Sequence, residues 1–94
     1  MSKNITYKQW LKCVEDMEIV VGTKSMMVHL LCKPYDSIKH WKSYAKENPD
    51  LYIKEKMKER LLNACYQVSG CYKETLNDQS NAFNRIVDFS FDYS

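Results

Sequence analysis

Residues 48–77 read NPDLYIKEKMKERLLNACYQVSGCYKETLN. The opening Asn48-Pro49-Asp50 has the composition of a helix start. Asn48 can cap, Pro49 suits the first helical position because its missing N–H would be unpaired there, and Asp50 suits the positive end of the helix dipole. Apolar residues then recur at Ile53, Met57, Leu61, Ala64, Cys65, Val68, Tyr72 and Leu76, close to a 3.6-residue period. The spacing predicts one long amphipathic helix over about 49–76 and decides the fold class as all-α.

The segments on either side agree. Thr6-Tyr7-Lys8-Gln9 matches a capping box, with Ile5 and Trp10 placed as a hydrophobic staple. Tyr7, Trp10, Leu11, Val14, Met17 and Val21 then share a face, and Gly22 is a natural stop, so the first helix is expected over 7–21. Met26, Met27, Leu30 and Leu31 fit a short helix ending before Pro34. A hairpin around Gly22-Thr23-Lys24 is the rival reading, but the second run lacks a strand's alternation. Asp36 is a candidate cap for a third helix, roughly 37–47, with Ile38, Trp41, Tyr44 and Ala45 inward. Ser80 is a candidate cap for a last helix carrying Phe83, Ile86 and Val87. Phe89 to Ser94 alternates like an extended acidic tail, about 89–94.

Ninety-four residues make one domain, 1–94, with material for a modest core. Only two glycines and two prolines are present, few for a loop-rich or all-β chain. The expectation is therefore a compact bundle of four to five helices with one long member, and with Trp10, Trp41, Leu61, Leu30 and Phe83 in its core. No segment reads as a signal peptide or a membrane span, which points to a cytoplasmic protein with reduced cysteines and no membrane partner. Frequent Lys, Asn and Tyr beside scarce Ala and Gly is a bias of AT-rich genomes, including those of many phages and viruses.

Candidate chemistry is sparse. Four cysteines (Cys13, Cys32, Cys65, Cys71) and two histidines (His29, His40) lack zinc-ligand spacing. Cys65 and Cys71, six apart on a helix, are separated by roughly 9 Å of rise, too far for a disulfide. There is no Ser/His/Asp spacing, phosphate-binding glycine loop or paired-carboxylate motif. An enzyme, a metal or a cofactor is therefore not expected.

Two surfaces stand out. Lys39, Lys42 and Lys46 form a basic stripe on the third helix, suited to phosphate contact but without Arg, Asn or Gln to read bases. Lys54, Lys58 and Arg60 lie nearby in sequence. On the outer side of the long helix, Tyr66 lies one turn from Gly70 and beside Asn63. An exposed Tyr anchors interfaces, and Gly permits close approach. Seven Tyr, three Phe and two Trp exceed what such a core buries, so some of Tyr52, Tyr66, Tyr72 and Tyr93 should be exposed.

The leading functional expectation is a non-enzymatic protein-binding module, a small inhibitor or regulator that occludes or bridges a partner. The alternative is a nucleic-acid-associated protein using the lysine stripe. A helix of 28 residues would span roughly 42 Å, against a diameter of roughly 33 Å for a compact chain of this size. Its unbroken apolar phase through Gly70 predicts that the half from Tyr66 to Leu76 packs on a target or on a second subunit, as in a homodimer.

Overall fold

The computed structural model describes residues 3–72 and 77–93. Five helices follow one another: α1 (Tyr7–Val21), α2 (Lys24–Leu31), α3 (Tyr35–Glu47), α4 (Glu55–Cys71) and α5 (Asn77–Tyr93). Among the described residues there is no strand, so the all-α bundle expected from the sequence is the observed architecture. α1 packs against each of the other four helices, α4 packs on α2 and α5, and α2 packs on α3.

α1 starts and stops where local chemistry dictates. The Thr6 hydroxyl accepts from the Gln9 N–H at 3.2 Å, and the Gln9 side chain accepts from the Thr6 N–H at 2.9 Å. Gly22, at φ 74°, ends the helix in the left-handed region that glycine enters freely. α2 begins at Thr23, whose hydroxyl accepts from the Met26 N–H, and the hairpin alternative for this region does not form. The buried stripe of α1 is Tyr7, Trp10, Cys13, Val14, Met17 and Val20, with Asp16 beside it. Leu11 and Val21, expected on that face, are only partly covered, so the helix is rolled toward Cys13.

The deciding stretch folds differently at its start. Asn48-Pro49-Asp50 does not open a helix. Asn48 closes α3, with its N–H and its side-chain amide both donating to the Tyr44 carbonyl, at 2.9 and 3.1 Å. The chain then runs irregularly to Lys54 and pairs with the residues before α1. The Ile53 N–H donates to the Ile5 carbonyl at 2.8 Å, and Thr6 and Tyr52 form an antiparallel bridge. The Tyr7 and Lys8 N–H groups, which have no partner inside their own helix, donate to the Leu51 and Pro49 carbonyls at 2.8 and 3.1 Å. This tertiary pairing outweighs the local helix signal of residues 48–50.

α4 therefore begins at Glu55 and ends at Cys71, running unbroken through Gly70, and Leu76 lies outside the described residues. Seventeen residues span roughly 26 Å, within principal extents of 33 × 31 × 20 Å. The excess length that motivated a second subunit is absent. The apolar phase is kept nonetheless, since Met57, Leu61, Ala64, Cys65 and Val68 are all buried.

Three further expectations are corrected. α3 starts at Tyr35 behind Pro34 with no side-chain cap, leaving Asp36 inside its first turn. α5 is already helical at Asn77, which places Ser80 within the helix rather than at its cap. The expected extended tail is instead helix as far as Tyr93, because Phe89 and Tyr93 share a face at i, i+4 and pack on the core with ring centroids 4.6 Å apart. Trp10, Leu30 and Leu61 are fully in the core, whereas Trp41 and Phe83 pack on it while partly exposed.

Leu61→Ala, at a position with no solvent exposure, should cost about 2–5 kcal/mol in urea unfolding. Thr6→Ala should cost about 1 kcal/mol through the lost cap.

Candidate functional site

A broad concavity lies between α1 and α5. Gln9, Lys12, Cys13 and Asp16 recur at three- and four-residue spacing, as do Arg85, Asp88, Phe89 and Asp92, so each set occupies one side of its helix. The two helices run antiparallel, with Gln9 meeting Tyr93 and Asp16 meeting Arg85. Between these two contacts is a groove of about 540 Å³, also lined by Thr6 and Lys8.

Two polar bridges join the helices along the groove. In one, the Gln9 Nε2 donates to the Tyr93 hydroxyl at 2.7 Å, while the same side chain's oxygen serves the α1 capping box. In the other, the Arg85 Nε donates to both Asp16 oxygens at 3.2 and 3.1 Å, and Nη2 donates to Oδ1 at 2.8 Å. The Asp16 side chain is only 3% exposed, and Lys12 Nζ stands 3.7 Å from it. A buried carboxylate is tolerable only with such charge-assisted partners. The hydrogen bond to Asp16 raises Arg85 above the usual guanidinium range.

The sides of the groove differ in sign. Lys8 and Lys12 line the α1 side, and Asp88 and Asp92 line the α5 side, all exposed. In helical register, Cys13 and Phe89 fall between the two bridges. Burial, then the Asp92 charge, raises Tyr93 above the usual phenol range. The Cys13 thiol is raised well above its ordinary 9.0, first by its contact with Cys65, then by burial, then by the Cys65 and Asp16 charges. A thiol held protonated is a poor nucleophile at neutral pH. What the groove offers is paired, opposed charge over a partly apolar surface.

The residues singled out from the sequence lie elsewhere. Asn63, Tyr66 and Gly70 are exposed together on the outer face of α4, with Tyr66 at 48% and open space around Gly70. Tyr52 is exposed too, while Tyr72 and Tyr93 are partly buried. The lysine stripe is interrupted. Lys39 and Lys46 are exposed, but Lys42 Nζ is 2.7 Å from the Glu18 carboxylate on α1. Lys58 is buried and donates to the Lys3 carbonyl, so it cannot join a phosphate-binding surface. Trp41 is enclosed by Tyr7, Tyr44 and His40 at centroid distances of 6.0, 5.4 and 5.2 Å, with Lys33 Nζ 5.5 Å from its ring. Cys32 and Cys71 are exposed, Cys13 and Cys65 are buried, and among the described residues no three potential ligands converge on a metal position.

No known protein family, characterised protein or solved structure matches the chain.

Sequence reasoning missed the groove because its members are separated by 69 and 84 residues. One signal was available within α1: Trp10, Cys13, Met17 and Val20 share a stripe once cysteine is counted as a hydrophobe, and that roll carries Asp16 inward.

Arg85→Leu should lower the melting temperature more than the paired Asp16→Leu/Arg85→Leu change, because the single variant leaves a buried carboxylate without its main partner. Scanning calorimetry of the two variants checks the order. A pH dependence follows from Cys13. Below its ordinary value of 9.0 the thiol is protonated in both folded and unfolded chains, so its stabilisation is fully present. Above it the unfolded chain loses the proton while the folded one keeps it. The melting temperature should therefore fall as pH rises above about 9, with the earlier part of the fall reduced in Cys13→Ala. Tyr7 and Tyr93, raised from 10.0 mainly by burial, add to the loss at higher pH.

Proposed function

We propose that this chain is a non-enzymatic protein-binding module that occludes or bridges a partner by seating one of its segments between α1 and α5. The observation that carries this reading is the placing of Lys8 and Lys12 on one side, and Asp88 and Asp92 on the other, of a groove whose helices are joined by two polar bridges. The bridges stand about seven helical residues apart, roughly 10 Å, which suits two turns of a docked helix. Such a segment would carry acidic residues along one edge, basic residues along the other, and an apolar ridge over Phe89 and the lysine stems.

Two exposed apolar residues lie on the same helices outside the groove lining. Ile19 continues the α1 line of Lys12 and Asp16, and Phe91, 76% exposed, lies one turn from Asp88 on α5. Large side chains beside a charged groove are typical anchor positions. The outer face of α4, with its exposed Tyr66, comes second as a contact surface. A nucleic-acid role has less support, since Lys42 and Lys58 are engaged within the chain.

Selection from a displayed peptide library tests the reading with no partner specified. The expected winners have opposed acidic and basic edges, and Lys8→Glu/Lys12→Glu should weaken them at least about tenfold while Lys39→Glu/Lys46→Glu leaves them unchanged. Winners indifferent to the groove changes but lost with Tyr66→Ala would place the contact on α4. A library yielding no binder would overturn the module reading.

A further inference from the structure

Cys13 and Cys65 stand apart from the other cysteines. Their Sγ atoms are 3.5 Å apart, one on α1 and the other on α4, 52 residues away in sequence. Cys65 has no solvent exposure, whereas Cys13 lines the α1–α5 groove. Cys13, though only 3% exposed, is therefore the member of the pair that borders the groove, and Cys65 is its fully buried neighbour. A disulfide requires the sulfurs to close to about 2.05 Å, a shift of about 1.5 Å from the observed contact. Cysteines packed merely as small hydrophobes have no need of a sulfur–sulfur contact or of a groove beside one member.

We propose that Cys13 and Cys65 form a redox pair that reacts with low-molecular-weight disulfides entering the groove. This inference does not depend on the protein-binding reading. Cys13 gives its proton to solvent and its thiolate attacks one sulfur of the incoming disulfide. The S–S bond of that molecule breaks, one thiolate leaves and is protonated, and Cys13 holds a mixed disulfide. Cys65, deprotonated in turn, attacks the Cys13 sulfur and expels the second thiolate. Two cysteines are oxidised, the small disulfide is reduced to two thiols, and α1 becomes covalently joined to α4. The protonated state favoured for Cys13 at neutral pH makes the first step slow there and faster as pH rises.

The test uses the folded chain carrying Cys32→Ser/Cys71→Ser, which removes the exposed thiols, treated with bis(2-hydroxyethyl) disulfide. The product is then denatured, alkylated and weighed by mass spectrometry. The expected product has lost the mass of two hydrogens, accepts no alkylating group and melts at a higher temperature. Adding Cys65→Ala should trap the mixed disulfide on Cys13, and adding Cys13→Ala should leave Cys65 unreacted. Peptide mapping of the oxidised wild-type chain supplies a readout independent of the substitutions and should yield a Cys13–Cys65 linked peptide. Two alkylated cysteines after treatment, or a linkage from Cys13 or Cys65 to Cys32 or Cys71 instead, overturns the proposal. Reaction of Cys65 in the Cys13→Ala variant at the rate of the pair overturns the order of attack.

Discussion

The structure depends on how the N-terminus of α1 satisfies its backbone. The first N–H groups of any helix lack partners within it, and leaving them buried and unpaired is costly. Here the Thr6 hydroxyl serves the Gln9 N–H, while the carbonyls of Leu51 and Pro49 serve Tyr7 and Lys8. The last two acceptors come from a segment more than 40 residues away. Satisfying α1 therefore fixes where α3 must end and where α4 must begin. Because α1 touches every other helix, the position of its first turn propagates through the bundle. Ile5 and Ile53, joined by a backbone hydrogen bond and both buried, cover this junction with apolar surface.

Legibility of the fold followed the range of the interaction. The capping box at Thr6, the glycine stop at Gly22 and the apolar phase of α4 are all set within a few residues, and each is readable from the sequence. Asn48-Pro49-Asp50 misleads because its local chemistry suits a helix start, whereas the Pro49 carbonyl, with that of Leu51 just beyond, is needed by α1. Nothing in residues 48–54 announces that demand. Ile53 shows how the two signals separate: it lies in phase with Met57 and Leu61 and is buried with them, yet its backbone is not helical. Periodicity records which side faces the core, not the conformation that brings it there. The end of α5 misleads for a related reason. Phe89 and Phe91 alternate with polar residues as in a strand, but Phe89 packs with Tyr93, and Ile86 and Ser90, four apart, are both buried, as a helix spaces them.

The groove is not legible in the sequence, because both bridges that define it join opposite ends of the chain. The residues that stand out there do so for visible properties, a run of lysines and a Tyr near a Gly. Lys42 and Lys58 are engaged by internal partners, a fate that composition does not reveal. Asp16 does not stand out, because an aspartate on a helix is ordinarily solvated. Its burial becomes intelligible only with Arg85 in view.

The Asp16–Arg85 pair is better understood as a determinant of register than as a source of stability. Burying a carboxylate costs about as much as a well-formed ion pair returns, so two apolar residues would hold the helices together as firmly. Apolar side chains would also tolerate sliding. A slip of α5 by one turn, about 5.4 Å, would separate Asp16 from Arg85 and Gln9 from Tyr93 together, leaving a buried charge without its main partner. With two bridges, the penalty is felt for movement in either direction. Lys8 and Lys12 thereby remain opposite Asp92 and Asp88, and Cys13 keeps its place between the bridges. The arrangement of charge across the groove is thus a consequence of the two contacts that join its helices.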